Sequence, residues 1–175
     1  HNTQPWRFAL RDDGVDVYSD ETKVLPIIDP MGRQRVMSAA AALLNIRVAA
    51  HAFGLKTHEE LLPEPERNPA LIARLRVVGK RRTSARLLAL RDAIVARRTN
   101  RQPYSQRPVS YAIADDLFDV AAREGAWLLR LHPRAKAPLA DIITAADRAQ
   151  FADKGFRNEL SQWLVPSGSG RADGI

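Results

Sequence analysis

Residues 33–53 read RQRVMSAAAALLNIRVAAHAF, and the reading of this stretch decides the fold. It holds neither glycine nor proline, is dominated by good helix formers, and is followed by Gly54. It therefore predicts one helix of about 31 Å that stops at Gly54. Val36, Met37, Leu43, Leu44, Ile46 and Val48 place apolar groups almost all round it, the pattern of a buried central helix. Residues 39–42 are all alanine, which lets another backbone or a flat ligand come close. Core packing is the plainer of these two uses.

Upstream, the β-prone runs 6–10 and 15–18 flank Arg11-Asp12-Asp13-Gly14, a hairpin signal. Trp6 and Phe8, alternating with an exposed Arg7, are expected to bury the inner face of the first strand. Pro26, Asp29, Pro30 and Gly32 mark a loop before the helix. Downstream, residues 60–62 read as a short strand and 71–78 as a longer one, with Leu71, Ala73, Leu75 and Val77 on one face and Arg74 and Arg76 on the other. A helix follows from about Ser84 to Arg97, striped by Leu87, Leu88, Leu90, Ile94 and Val95. Ser110 is placed to cap another, carrying Ile113, Leu117 and Val120 and ending at Gly125. Residues 127–131 read as a strand, 138–164 as a helix, and 166–170 as a flexible exit. Helices and hairpin-linked strands in this mixture specify an α+β chain.

The length of 175 residues suits one compact domain or part of a larger one. The absence of cysteine excludes disulfide scaffolds, thiolate nucleophiles and iron–sulfur clusters within these residues. His1, His51, His58 and His132 lack partners at metal-ligand spacing, so no metal site is expected. In the most apolar region the longest uncharged run is 36–46, far short of a membrane span. No membrane partner is expected. The chain opens at His1 without a secretory pattern, so it reads as a piece of something longer, with the cytoplasm as default compartment. Of the net charge of +7, eleven basic residues lie in 74–107 beside Asp92 alone, leaving 16 basic against 19 acidic elsewhere. With so few aromatics to stack bases, this local charge fits a solvated helix face or a phosphorylated small ligand better than nucleic acid.

Two clusters stand out: Asn2-Thr3-Gln4-Pro5-Trp6-Arg7-Phe8, and Arg97-Arg98-Thr99-Asn100-Arg101-Gln102-Pro103-Tyr104. Here the sequence resembles the flavin-dependent nitroreductases, specifically the actinobacterial tandem-lobe branch called Acg-like. Asn2, Gln4, Pro5 and Trp6 match the second part of that family's Pro-Ser-x-x-Asn-x-Gln-Pro-Trp motif. Arg97, Thr99 and Arg101 match its Arg-x-Ser-x-Arg/Lys element, with Thr in place of Ser. Leu25-Pro26, Asp29-Pro30-x-Gly32-Arg33, the alanine-rich helix and Glu159-Leu160-x-x-Trp163-Leu164 extend the similarity over most of the chain. In ordinary members the Arg-x-Ser element precedes the Asn-x-Gln-Pro-Trp element, whereas here it follows it.

The resemblance implies a three-layer α/β/α nitroreductase-like fold present as an incomplete fragment. Residues 1–96 would be most of a first lobe, and 97–175 the beginning of a second. It implies an FMN-dependent oxidoreductase that reduces small oxidised substrates such as nitroaromatics or quinones with NAD(P)H, through lobe–lobe pairing within the full chain or a homodimer. A protein that only binds or sequesters FMN is the alternative. Cofactor-binding roles would fall to Asn2, Arg97, Thr99 and Arg101, and no catalytic side chain need be named. Physically, two guanidiniums and a hydroxyl at i, i+2 and i+4 of an extended loop converge on one phosphate. The same residues also suit a solvated loop at a helix C-terminus. Asn2 is equally suited to a flavin edge or to its own turn backbone, and Gln4 reads as structural.

Overall fold

The computed structural model describes residues 2–100, 102–105, 107–166, 170, 173 and 174. Two compact units divide the chain: His1–Arg98 with Asp153–Ile175, and Thr99–Ala152. The first contains a four-stranded sheet and the long helix, so the α+β class stands. Strands β1 (Trp6–Arg11) and β2 (Gly14–Ser19) form the expected hairpin, with Arg11 opposite Gly14 across an Asp12-Asp13 turn. Helix α1 (Arg33–Ala52), β3 (Leu55–Leu61) and β4 (Leu71–Lys80) follow, and the sheet order is β1-β2-β4-β3. Both β2 and β3 are antiparallel to β4. They therefore run parallel to one another with β4 between them, and α1 makes the crossover of a split β-α-β unit.

Helix α1 ends where its sequence says it should. Gly54 has φ +76°, a left-handed backbone that closes a helix and that glycine adopts without a Cβ clash. The N–H groups of Phe53 and Gly54 donate to the Ala49 and His51 carbonyls at 3.0 and 3.1 Å. One face of α1 is buried through Ala39, Ala42 and Leu43, and Ala39 and Leu43 join Val15, Val17, Ala73 and Leu75 in the core. The opposite face is not covered: Met37 is 68% and Leu44 38% exposed. The expectation of burial all round is thus corrected to burial on one side. A helix about 10 Å across covers roughly two strands spaced about 4.8 Å apart, here β2 and β4. For the same reason Phe8 on the edge strand β1 is 49% exposed, against the expected burial, while Trp6 packs at the core margin.

Two local features escaped the sequence pattern. Adjacent residues Leu71, Ile72 and Ala73 are all buried because the ladder shifts register where Val17 and Tyr18 face β4, a bulge that lets neighbours share a face. Strand β3 begins at Leu55, well before the expected 60–62, because its inward positions carry polar groups bonded to α1. The Arg47 guanidinium donates to Glu59 at 3.1 Å, and His51 Nε2 lies 2.9 Å from the Thr57 hydroxyl. Arg81 sits 2.7 Å from His51 Nδ1. A guanidinium only donates, so Nδ1 accepts and the proton is on Nε2. Burial, with the charges of Arg81 and Arg47, holds the His51 pKa below its ordinary value.

The outer face of the sheet centres on Asp16, which is wholly buried. Arg11 donates to its Oδ2 through Nε and Nη2 at 3.0 and 2.7 Å, and Arg74 Nε donates to Oδ1 at 3.1 Å. Arg74 Nη2 also reaches Glu64 at 3.1 Å. Burial acts to raise the Asp16 pKa, but the bonds from Arg11 and Arg74 prevail and hold it below the usual carboxylate value.

Helix α2 (Ala85–Ala96) starts at Ser84, whose hydroxyl accepts from the Leu87 N–H, and shields Leu87, Arg91 and Ile94 in part. In the second unit α3 (Tyr111–Arg123) starts at Ser110 as expected. Residues 127–131 form no strand, and Trp127 and Leu129 are 81% and 72% exposed. The described residues of that unit include no strand to pair with. The expected helix 138–164 is two helices, α4 (Lys136–Ala152) in the second unit and α5 (Lys154–Ser161) in the first. Asp153 separates them by accepting from the Gly155 N–H at 2.7 Å, which caps α5. No helix among the described residues is long and apolar enough to cross a membrane.

Leu43→Ala is expected to cost about 2–5 kcal/mol through a core cavity, and Leu44→Ala less than about 1 kcal/mol, by denaturant titration of the chain. Equal losses would show that the two faces of α1 are alike. A depressed Asp16 pKa means stability that is present above the unfolded value, about 3.9, and lost as pH falls through the folded value. Asp16→Asn should therefore cost about 3 kcal/mol at neutral pH and should flatten the decline of stability below about pH 4. Unfolding midpoints measured from pH 7 to pH 2 test both.

Candidate functional site

The basic element begins at the end of α2. Arg97 is the residue that leaves the helix, with extended backbone (φ −59°, ψ 133°), and its N–H donates to the Ala93 carbonyl at 2.8 Å. Arg98 turns back: its Nη1 donates to the Val95 and Arg97 carbonyls at 2.7 and 2.9 Å, closing the helix C-terminus as a cation should. The cap is thus supplied by the residue between Arg97 and Thr99, two of the three positions singled out for phosphate. Arg97 and Thr99 are both exposed. Asn100 Oδ1 accepts from the Gln102 N–H at 3.0 Å, which tightens the turn that follows. Arg101 lies outside the described residues. The first compact unit ends at Arg98, so the division of the chain falls inside this element.

Asn2 stands at the other sequence cluster, exposed, with its carbonyl accepting the Gly174 N–H at 2.8 Å. Gln4 takes a positive φ of 46° and its carbonyl accepts from the Trp6 N–H at 2.9 Å, a tight turn that leads into β1 and accords with a structural role. Thr3 between them is buried and lines a pocket of about 380 Å³. That pocket is walled by the loop before α1 and by the first turns of α1, and includes Lys23, Asp29, Gly32, Arg35 and Ser38. Arg97 and Thr99 are not part of its wall.

Two acidic residues fix the loop. The Asp29 carboxylate accepts from the N–H groups of Gln34 and Arg35 at 3.1 and 2.9 Å. It supplies the cap that Gly32, at the first position with φ +66°, cannot. Glu159 of α5, buried to 6% exposure, accepts from the N–H groups of Ile27 and Ile28 at 2.8 and 3.1 Å. No spacing signal marks this contact, since donor and acceptor lie 132 and 131 residues apart. Lys23 and Asp173 add an ion pair at 2.7 Å between the same loop and the C-terminal segment. The Asp29-Pro30-x-Gly32-Arg33 and Glu159-Leu160 stretches noted above thus build the scaffold around the pocket.

Over 163 residues, 93% of this chain and 49% of the relative, the sequence is 26% identical to a Mycobacterium tuberculosis protein named "Putative NAD(P)H nitroreductase acg". Over 171 residues, 97% of this chain and 48% of the relative, it is 30% identical to "Putative NAD(P)H nitroreductase Rv3131" of the same organism. The chain is a homologue of the Acg-like proteins. It is also 24% identical over 170 residues to "Uncharacterized protein Rv3127", again from M. tuberculosis. No protein-family model matches it. The chain spans about half the length of the curated Acg-like relatives it matches.

Glu159→Ala leaves two backbone donors without their carboxylate, and each such orphan costs about 1–3 kcal/mol. A loss of about 2–4 kcal/mol is expected on denaturant unfolding, with Glu159→Gln recovering part of it because one amide oxygen still accepts. A neutral Glu159→Ala would mean that α5 does not hold the loop.

Proposed function

We propose that the whole protein to which this chain contributes is an FMN-dependent oxidoreductase. It would reduce small oxidised substrates, nitroaromatics or quinones, with NAD(P)H as donor. The observation that carries the reading is similarity over nearly the whole chain to a relative named as an NAD(P)H nitroreductase, together with the Arg97-x-Thr99-x-Arg101 element. In this reading a three-layer α/β/α nitroreductase-like fold is completed by residues beyond this piece. The boundary between lobes falls at 96/97, and lobe–lobe pairing or a homodimer completes the flavin site.

The exposed residues fit a phosphate group chemically. Arg98 closes the α2 carbonyls, and Arg97 and Thr99, on either side of it, place a guanidinium and a hydroxyl at exposed positions two apart. These, with Arg101, would hold the FMN phosphate through charge-assisted hydrogen bonds, and Asn2 would face the flavin edge. Bound flavin supplies hydride transfer between donor and substrate. The chain's own part is to bind and orient it, and no side chain here needs to exchange a proton for that.

In the full-length protein Arg97→Ala, Thr99→Ala and Arg101→Ala are to be titrated with FMN and riboflavin after flavin removal. Each arginine change should weaken FMN by about tenfold to a hundredfold and leave riboflavin, which lacks the phosphate, nearly unchanged. Wild-type FMN affinity in all three variants would reduce the element to a helix terminus. Steady-state NAD(P)H oxidation with a nitroaromatic or a quinone separates an enzyme from a protein that only sequesters FMN.

A further inference from the structure

The pocket beside the start of α1 contains a cation with no assigned counter-charge. The Nε of Arg35 is buried and has no hydrogen-bond partner among the described residues. The other charged groups in the wall are committed. Lys23 is paired with Asp173, and both Asp29 oxygens accept from backbone N–H groups. Because Asp29 occupies the Gln34 and Arg35 amides, the α1 terminus is already capped, and Arg35 is the wall's uncommitted cation.

The guanidinium is also seated. A Cβ built on Gly32 would lie 3.1 Å from Arg35 Nη2 and 3.5 Å from Nε, so the absent side chain is what lets the planar group lie against the backbone. Gly32 is required twice, for its φ of +66° and for this contact. A half-buried guanidinium without an acceptor is costly, and one held in a cavity is placed to receive an oxyanion on its Nε–Nη2 edge. Val24, Leu25, Pro26, Pro30 and Met31 supply an apolar wall. A volume of about 380 Å³ exceeds what an inorganic ion fills and falls in the range of small-molecule sites.

We propose that this pocket binds a small organic anion, its carboxylate or phosphate-ester head on Arg35 and its apolar body against the proline-rich loop. Thr3, Gln34 and Ser38 are the neutral polar groups of the wall. The site is separate from the Arg97 element and does not depend on the flavin reading.

The test uses the full-length protein and three probes: benzoate, phenyl phosphate and the uncharged benzyl alcohol. Titration calorimetry should show saturable binding of at least one of the two anions and none of the alcohol. The Arg35 Nε–H resonance of the wild-type protein, assigned by correlation to its own side chain, should shift along the same isotherm. Arg35→Gln should weaken the anion by about tenfold or more, while Arg33→Gln, outside the wall, should not. The wild-type resonance decides the matter even if Arg35→Gln folds poorly. An Nε–H signal unmoved by both anions, or moved equally by sodium chloride, overturns the proposal. Displacement of the bound anion by FMN would also overturn it, by making the pocket part of the flavin site. Loss of FMN binding in the Arg97 or Arg101 variants with anion binding intact would leave it standing.

Discussion

The fold of the first unit depends on the approach of α1 to the sheet through Ala39 and Leu43. An alanine at the contact lets the helix come down onto Val17 and Ala73, themselves directly opposed across β2 and β4. Small residues on both sides make that approach possible, and Leu43 fills the space it leaves. The crossover from β2 to β3 is fixed by the same contact. Because β4 inserts between those strands, α1 must span the width of β4 to deliver β3 to the far edge. What apolar packing does at the centre, ion pairs and hydrogen bonds do at the margins. Arg47 with Glu59 and His51 with Thr57 fasten the C-terminal half of α1 to β3. Asp29 and Glu159 fix the loop at its start.

Much of this was legible in residues whose physics is local. The hairpin at Asp12-Asp13, the stop at Gly54 and the caps at Ser84 and Ser110 each rest on interactions within a few residues. Their signals are carried by the sequence neighbourhood itself. Local pattern falls short where a partner decides. Residues 127–131 have the apolar character of a strand, but a strand is a pairing, and no described strand of that unit offers its edge. Leu44 is as apolar as Leu43, and a pattern with apolar groups all round the helix cannot say which side meets the sheet. The pattern hides the start of β3 for the opposite reason, since Thr57 and Glu59 are inward yet polar, and α1's Arg47 and His51 make them suitable there.

The candidate sites divide in the same way. Arg97, Thr99 and Arg101 stand out through motif spacing, whereas Arg98, indistinguishable from its neighbours by composition, turns to the helix carbonyls. Arg35 carried no signal beyond membership in a helix. Its Nε lies buried against Gly32 in a pocket whose wall also takes in Thr3 and Lys23, so residues well apart along the chain make its surroundings.

The concentration of basic residues in 74–107 takes on a different meaning once partners are assigned. Arg74 belongs to Asp16 and Glu64, Arg81 to His51, Arg91 to Asp92, and Arg98 to the carbonyls of its own helix. Arg76 of β4 lies 3.8 Å from Asp13 in the hairpin turn. Most of these pairs are partly or wholly exposed and individually weak, but together they spread the guanidiniums over the sheet, the α1–β3 join and α2. A local excess of charge in sequence is therefore divided among separate structural tasks in space. Two places carry the candidate chemistry for an anionic ligand: the exposed end of α2 at Arg97 and Thr99, and the guanidinium edge of Arg35 inside its pocket. A ligand recognised at either place is recognised by one or two directed cations, so geometry at the oxyanion, more than the net charge of +7, sets what binds.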